Sequence, residues 1–228
     1  MQLESFRTCI DKTPPALRIS FSGYSEPFLN PACVDMILYA HERGHPISIF
    51  TTLDKVRKED IDRLAGVPFR TFTVHLPDEG HLMRLRVDEG YIELIRHIQR
   101  TRLSNVGYHC NVHKPHPLIE SALANEISIT RNRPVHTRAG NVCESKSNNL
   151  EKGYCGKGSI RRNVLIPNGD VALCCMDYGL EHILGNLLTA SYESLFESEE
   201  FATISRSFND PKIRTLCRRC EHYRVSSH

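Results

Sequence analysis

The sequence predicts an α/β protein in two parts: a parallel sheet built from β/α repeats over residues 17–130, then a smaller cysteine-rich domain. Three observations carry that prediction. Apolar residues in the first part switch repeatedly between a period of two and a helical period. Residues 131–153 interrupt the pattern with turn and linker chemistry, in Arg131-Asn-Arg-Pro134, Arg138-Ala-Gly-Asn141 and Ser145-Lys-Ser-Asn-Asn149. The part that follows has short strands around a tight turn and ends on Cys217-Arg-Arg-Cys220.

The first part reads element by element. Leu17, Ile19 and Phe21 alternate as a strand, and Asn30-Pro31 opens a helix, capped at Asn30 and with proline at its first position. Val34, Ile37, Leu38 and His41 share one face of that helix, and Gly44 stops it. Pro46–Thr52 is the second strand, and a short helix carries Ile61, Leu64 and Ala65 up to Gly66. Phe69–His75 is the third strand. Val87, Tyr91, Leu94, Ile95 and Ile98 mark a longer helix. Val106–His113 is the fourth strand, Pro117 begins a helix through Leu123, and Glu126–Thr130 is the fifth strand. Connections of this length cross over, which makes the sheet parallel and puts ligands at the C-terminal ends of its strands.

The second part begins with a hairpin, Asn163–Cys174, turning at Asn168-Gly169. A helical stretch capped by Ser191 carries Leu195, Phe196, Phe201, Ile204 and Phe208. Its period falters near Glu199, as two helices in succession would do.

Composition excludes several classes. Lys and Arg total 29 against 27 for Asp and Glu, a near-balance that argues against a nucleic-acid binder working by bulk charge. No apolar run approaches the ~18 residues of a membrane helix. The N-terminus has no apolar signal core, so the expected location is the cytoplasm. Nine cysteines are an odd number in a chain too large to need disulfide staples, so metal ligation and core packing are the expected roles. Cys217-x-x-Cys220 lets two thiolates face one point. Cys155 and Cys174, before the hairpin and at its end, are the natural second pair. Spacing alone leaves an iron–sulfur cluster and a structural zinc ion equally open.

The spacing has a relative. Cys155, Gly169 and Cys174 followed by Cys217-x-x-Cys220 resemble the first half of the SPASM domain, the C-terminal extension of many radical S-adenosylmethionine enzymes. Asn168–Asp177 and Leu184–Leu187 are similar to that domain's hairpin and following turn, and Arg138–Asn141 is similar to the run before it. Upstream, Ser22-Gly-Tyr-Ser-Glu-Pro27 resembles the Gly-Gly-Glu-Pro motif of the radical S-adenosylmethionine barrel. The resemblance implies a partial (β/α) barrel over residues 1–137, holding strands two to six, and a SPASM-like domain over 138–228 with a linker at 138–153. It implies one auxiliary 4Fe–4S cluster on Cys155, Cys174, Cys217 and Cys220. It also implies contact with the cofactor's amino group by Ser22, Gly23, Glu26 and Pro27, with Thr51 and Thr52 facing the same pocket. A peptide or small-molecule substrate and an electron donor follow as implied partners, with no nucleic acid and no membrane.

One part of the family pattern is missing. No Cys-x-x-x-Cys-x-x-Cys occurs in the 228 residues, so the loop that would hold the cofactor-cleaving cluster is not in this sequence. Residues 1–12 are similar to the tail of the first barrel helix. The expectation is therefore a truncated or fragmentary enzyme, inactive alone. The alternatives are a non-catalytic cluster-carrying or partner-binding module and a zinc protein. Lacking its first barrel strand, Leu17–Ser22 is expected to be an exposed edge, leaving the chain aggregation-prone or dependent on a partner.

The other cysteines have milder readings. Cys175, next to Cys174, points the other way if the strand continues. Cys143 is a linker thiol and a lesser alternative ligand, Cys33 and Cys110 are core residues, and Cys9 is unassigned. His109 and His113, four apart on one strand face, belong to a barrel interior rather than to a metal site.

Overall fold

The computed structural model describes residues 1–80, 82–111, 114–131, 137–144 and 149–226. It divides into two compact units, Pro14–Val135 and Met1–Thr13 together with His136–His228.

Pro14–Val135 is a five-stranded parallel sheet, β1 (Ile19–Phe21), β2 (Ile47–Thr51), β3 (Thr71–His75), β4 (Val106–His109) and β5 (Ile129–Thr130), in spatial order β1-β2-β3-β4-β5. A strand order that follows the chain without reversal is barrel-type winding, unlike the doubly wound fold, whose order reverses. The intervening helices are α2 (Cys33–Glu42), α3 (Lys58–Leu64), α4 (Glu89–Thr101) and α5 (Pro117–Leu123), while α1 (Leu3–Ile10) lies in the other unit.

The register separates the two faces of this sheet. Ile49 pairs with Phe72, and Ile47, Ile49, Phe72 and Val74 are buried on one face. Ser48 pairs with Thr71, Phe50 with Thr73, Thr73 with Gly107 and His75 with His109, so the other face is built of hydroxyls and imidazoles around Phe50. The His75 ring lies between Phe50, 6.2 Å away, and His109, 6.3 Å away. His113 lies outside the described residues.

The helices follow their local chemistry. Asp88 caps α4 by accepting from the Tyr91 N–H at 3.1 Å, and Arg102 ends it in the left-handed conformation. Tyr91, Ile92, Leu94, Ile95 and Ile98 form its buried stripe, while Val87 falls before the helix. α2 starts at Cys33 with Ala32, not the expected Asn30, at its N-cap, because the Asn30 side chain accepts from the Ala32 N–H at 3.0 Å in the turn before the helix; its buried residues are Cys33, Val34, Met36, Ile37 and Ala40. Leu38 and His41, expected on the core face, are only half-buried. Among the described residues β1 pairs with β2 alone, leaving its other edge open as expected.

The second unit is held by short elements. β7 (Val164–Leu165), β8 (Asp170–Ala172) and β9 (Ile183–Asn186) make an antiparallel sheet, and β6 (Gly153–Cys155) pairs antiparallel with β10 (Tyr223–Val225). Gly169, at φ +92°, supplies the left-handed residue of the hairpin turn. The segment Leu184–Leu187, expected to be a turn, is largely strand β9, because it pairs along β8. The predicted helical stretch is broken in two: a 3-10 turn over Glu193–Phe196 and α6 (Glu199–Ser207), whose N-terminus Ser198 caps by accepting from the Phe201 N–H at 3.2 Å.

α1 packs here rather than with the sheet. Phe6, Cys9 and Ile10 are buried, and Cys9 joins the core with Val171, Leu173, Leu184, Leu195, Ile204 and Cys217. The Lys12 ammonium donates to the carbonyls of Leu187, Leu188 and Ala190 and fastens the segment after α1 to the end of β9. Residues 1–13 therefore belong by contact to the unit that holds the cysteines, not to residues 14–135 as the 1–137 boundary implied. The described part of the expected linker is likewise packed: Ala139 is fully buried against Met176, Leu216 and Cys220. No helix among the described residues is long and apolar enough to cross a membrane.

Candidate metal centre and carboxylate site

Within the second unit, Cys155, Cys174, Cys217 and Cys220 line one pocket, and Cys175 lines it too. The elements that gather them are distant in sequence. The β6–β10 pairing sets Cys155 opposite Tyr223, three residues after Cys220. Cys217 and Cys220 fall on a 3-10 turn, with the Cys220 N–H donating to the Cys217 carbonyl at 3.2 Å. β8 ends at Ala172, and Cys174 lies in the turn that follows, where the Asp177 N–H donates to its carbonyl at 3.0 Å.

That early strand end corrects the expectation for Cys175. Alternation would have turned its side chain away, but strand geometry has already stopped, and both sulfurs border the same pocket. The two differ in their partners. Cys174 Sγ accepts from the Met176 N–H at 3.4 Å, and Cys220 Sγ accepts from the His222 N–H at 3.4 Å. Cys175 Sγ is 3.6 Å from the Lys157 ammonium.

Burial raises the Cys174 thiol to about 12, and the neighbouring Cys175 and Cys220 sulfurs add to that rise. Burial, then Cys174, Cys220 and Cys155, raise Cys217, and burial raises Cys220. Four thiolates at such a place repel one another and lack solvent, so a cationic core must balance them for ligation. Among the described residues no group of three or more His, Cys, Asp or Glu is arranged to hold one metal ion. A single zinc ion draws its sulfurs to about 2.3 Å. A pocket lined by these cysteines, with backbone N–H groups aimed at two of the sulfurs, has the donor set an iron–sulfur core needs.

Residues without an obvious sequence signal scaffold this rim. The Asp177 carboxylate, fully buried, accepts from the N–H groups of Glu181 and His182 at 2.8 and 2.9 Å. The His182 Nε2 accepts from the Leu216 N–H at 3.1 Å, which leaves Nδ1 to donate to Glu200. The Glu221 carboxylate accepts from the Thr137 hydroxyl and the N–H groups of Arg138 and Ala139, two residues held at positive φ. Burial opposes its ionisation, yet these bonds hold its carboxyl below the usual range.

Residues 155–221 match the family model described as the SPASM iron–sulfur cluster-binding domain. The fold matches BtrN in complex with AdoMet and 2-DOIA, with a TM-score of 0.63 at 14% identity over 97% of this chain and 80% of that one. The chain thus carries a stretch that matches the SPASM domain, within a fold like that of an AdoMet-bound protein. The anSMEcpe structure with bound AdoMet and Kp18Cys peptide gives a TM-score of 0.58 at 13% identity, over 96% of this chain and 77% of that one. Streptococcus suis SuiB bound to precursor peptide SuiA gives 0.62 at 13% identity, over 91% and 60%. At these identities the likeness is one of fold. No curated protein matches the chain by sequence.

The second candidate site lies in Pro14–Val135, after β1. Ser22 is exposed, Gly23 has φ +134°, and Pro27 begins a 3-10 turn over Pro27–Leu29. Glu26 caps that turn and is bound from β2. Its Oε1 accepts from the Phe28 N–H at 3.2 Å and the Thr51 hydroxyl at 2.7 Å, and its Oε2 accepts from the Thr52 N–H at 2.5 Å and the Thr52 hydroxyl at 2.7 Å. The Tyr91 hydroxyl donates to the Thr52 carbonyl at 3.2 Å and braces the same corner. The structure thus brings Thr51 and Thr52 onto Glu26, and these four bonds occupy roughly all the lone-pair positions of its carboxylate.

Proposed function

We propose that this protein carries one 4Fe–4S cluster on Cys155, Cys174, Cys217 and Cys220. The observation that supports this most directly is the single pocket bordered by all four sulfurs, two of them receiving backbone N–H groups. When bound, such a cluster supplies one-electron redox chemistry or a site on iron for substrate. The chain's own residues hold and insulate it. Leu173, Phe208 and Tyr223 line the same pocket and exclude water. Of the two adjacent thiols, Cys174 is the proposed ligand, since a backbone N–H already points at its sulfur, while Cys175 stays with Lys157.

Ser22, Gly23, Glu26 and Pro27 are the proposed contact for the amino group of S-adenosylmethionine, with the substrate a peptide or small molecule and the electron donor a separate protein. The Thr51 and Thr52 hydroxyls can rotate away from Glu26 to admit an ammonium. The second reading, a non-catalytic cluster module, draws on the same corner, where Glu26 is already satisfied by its own chain.

Anaerobic reconstitution of the 228-residue chain tests the reading. About four irons and four sulfides per chain are expected, with retention in Cys175→Ser and loss in Cys174→Ser. Stoichiometric zinc in place of iron would overturn it. Titration with S-adenosylmethionine separates the two readings, since binding that is lost in Glu26→Gln supports a cofactor site. No 5′-deoxyadenosine is expected from this chain under reduction.

A further inference from the structure

Between the two cysteines of the 3-10 turn lies a buried cation. Arg218 is 4% exposed. Its Nη1 donates to the carbonyls of Asn149 and Glu151 and to the Tyr223 hydroxyl, and its Nη2 donates to the Ser207 carbonyl. Its Nε is buried and has no hydrogen-bond partner among the described residues. The guanidinium also lies over the Tyr223 ring, 5.4 Å from its centroid, inside the ~6 Å reach of a cation–π contact. Every described partner of the guanidinium is neutral.

Buried arginines are as a rule paired with carboxylates, because an uncompensated buried charge is strongly destabilising. Carbonyl dipoles solvate Arg218 but do not neutralise it. Tyr223, whose ring the guanidinium overlies and whose hydroxyl it binds, also lines the pocket that holds Cys217 and Cys220, so one side chain separates the cation from the cysteine rim. Of the cations that line the pocket itself, Lys157 is half-buried and Arg162 exposed, so both are screened by water.

We infer that Arg218 is the internal counter-charge of the thiolate-bound centre: a positioning residue that holds the Cys217–Cys220 turn and favours the reduced cluster. The inference rests on the cluster reading above. Four thiolates around an iron–sulfur core leave a net negative charge that grows by one on reduction, so a nearby cation stabilises the reduced form more than the oxidised one. The fork has a second duty. It ties residues 149–151, which lead into β6 and Cys155, to the end of α6 and to β10, so that all but the Cys174 corner of the rim is braced through one side chain.

The test is a redox titration of the reconstituted full chain, followed by electron paramagnetic resonance, for wild type, Arg218→Lys and Arg218→Gln, each with its iron content. Arg218→Gln is expected to load iron and to be harder to reduce, by about tenfold in the reduction equilibrium, or about 59 mV for one electron. Arg218→Lys keeps the charge without the fork, so it is expected to keep the wild-type potential while unfolding at lower temperature. An iron-loaded Arg218→Gln at the wild-type potential would overturn the inference and leave the cluster reading standing. Wild type without iron would overturn both. Should Arg218→Gln fail to load iron, the lysine variant decides: a wild-type potential supports the charge role, and a shift toward harder reduction refutes it.

Discussion

The two candidate sites are built on opposite principles. After β1, the Glu26 carboxyl group is completed by its own chain, with four donors from Phe28, Thr51 and Thr52 on its two oxygens. At the cysteine pocket the thiols gather, burial and neighbouring sulfurs raise Cys174 and Cys217, and backbone N–H groups at 3.4 Å address Cys174 and Cys220. A site that is satisfied without a ligand can serve structure alone. A site whose donor atoms raise one another's proton affinity is stable in its ligated form only with a cation inside. The contrast makes the cysteine pocket the stronger indicator of function, while the bonds at the Glu26 corner tie the segment after β1 to the end of β2.

The comparison breaks most decisively at the cysteines. The double variant Cys217→Ser/Cys220→Ser is expected to lose nearly all bound iron and to lower the unfolding temperature of the reconstituted protein, while leaving the apoprotein's unfolding midpoint close to wild type. Metal analysis and calorimetry on loaded and apo samples check this. An apoprotein destabilised as much as the loaded one would mean the thiols are structural.

At the other site, Glu26→Gln keeps the shape but presents an amide to donors that now meet only one acceptor oxygen. Leaving buried or half-buried donors unmade costs about 1–3 kcal/mol, readable as a lower urea midpoint. Iron content is expected to be unchanged, because Glu26 and the cysteines belong to different compact units. Loss of iron in this variant would show that the two sites are one.

The smallest effect sharpens the same distinction with a carboxylate that has a structural role only. Asp60 is buried at the start of α3, and the Arg57 side chain bonded to it holds its carboxyl below the usual range, burial opposing and the Arg57 N–H assisting. A depressed folded-state pKa adds stability that is present above the unfolded value, about 3.9, and lost as pH falls through the folded one. Arg57→Ala is therefore expected to lower the urea midpoint at pH 7 and to leave it nearly unchanged at the acid end, where Asp60 is protonated in both proteins. An equal loss at both pH values would assign the effect to packing.

Much of the fold was legible because its signals are local. Alternation at Ile19–Phe21 and Thr71–His75, the Pro117 start of α5 and the Asn168-Gly169 turn each arise from a few neighbouring residues. The failures share a cause. The packing of α1 into the cysteine unit depends on Cys9 meeting Val171 and Leu184, and the buried face of α2 on what covers it. The Leu184–Leu187 segment, expected to be a turn from its family resemblance, is strand where it pairs along β8.

The sequence by itself determined the order and type of the elements, the parallel sheet and the spacing of four cysteines, since these depend on dihedral preference and periodicity over short windows. Only the tertiary structure decided where β8 stops, and hence that Cys174 and Cys175 border one pocket. It alone brought Thr51 and Thr52 onto Glu26 and buried Arg218 among carbonyls supplied from residues 149, 151 and 207. Each of those outcomes is a contact between residues far apart in the chain, and its energy exists only once the chain has brought them together.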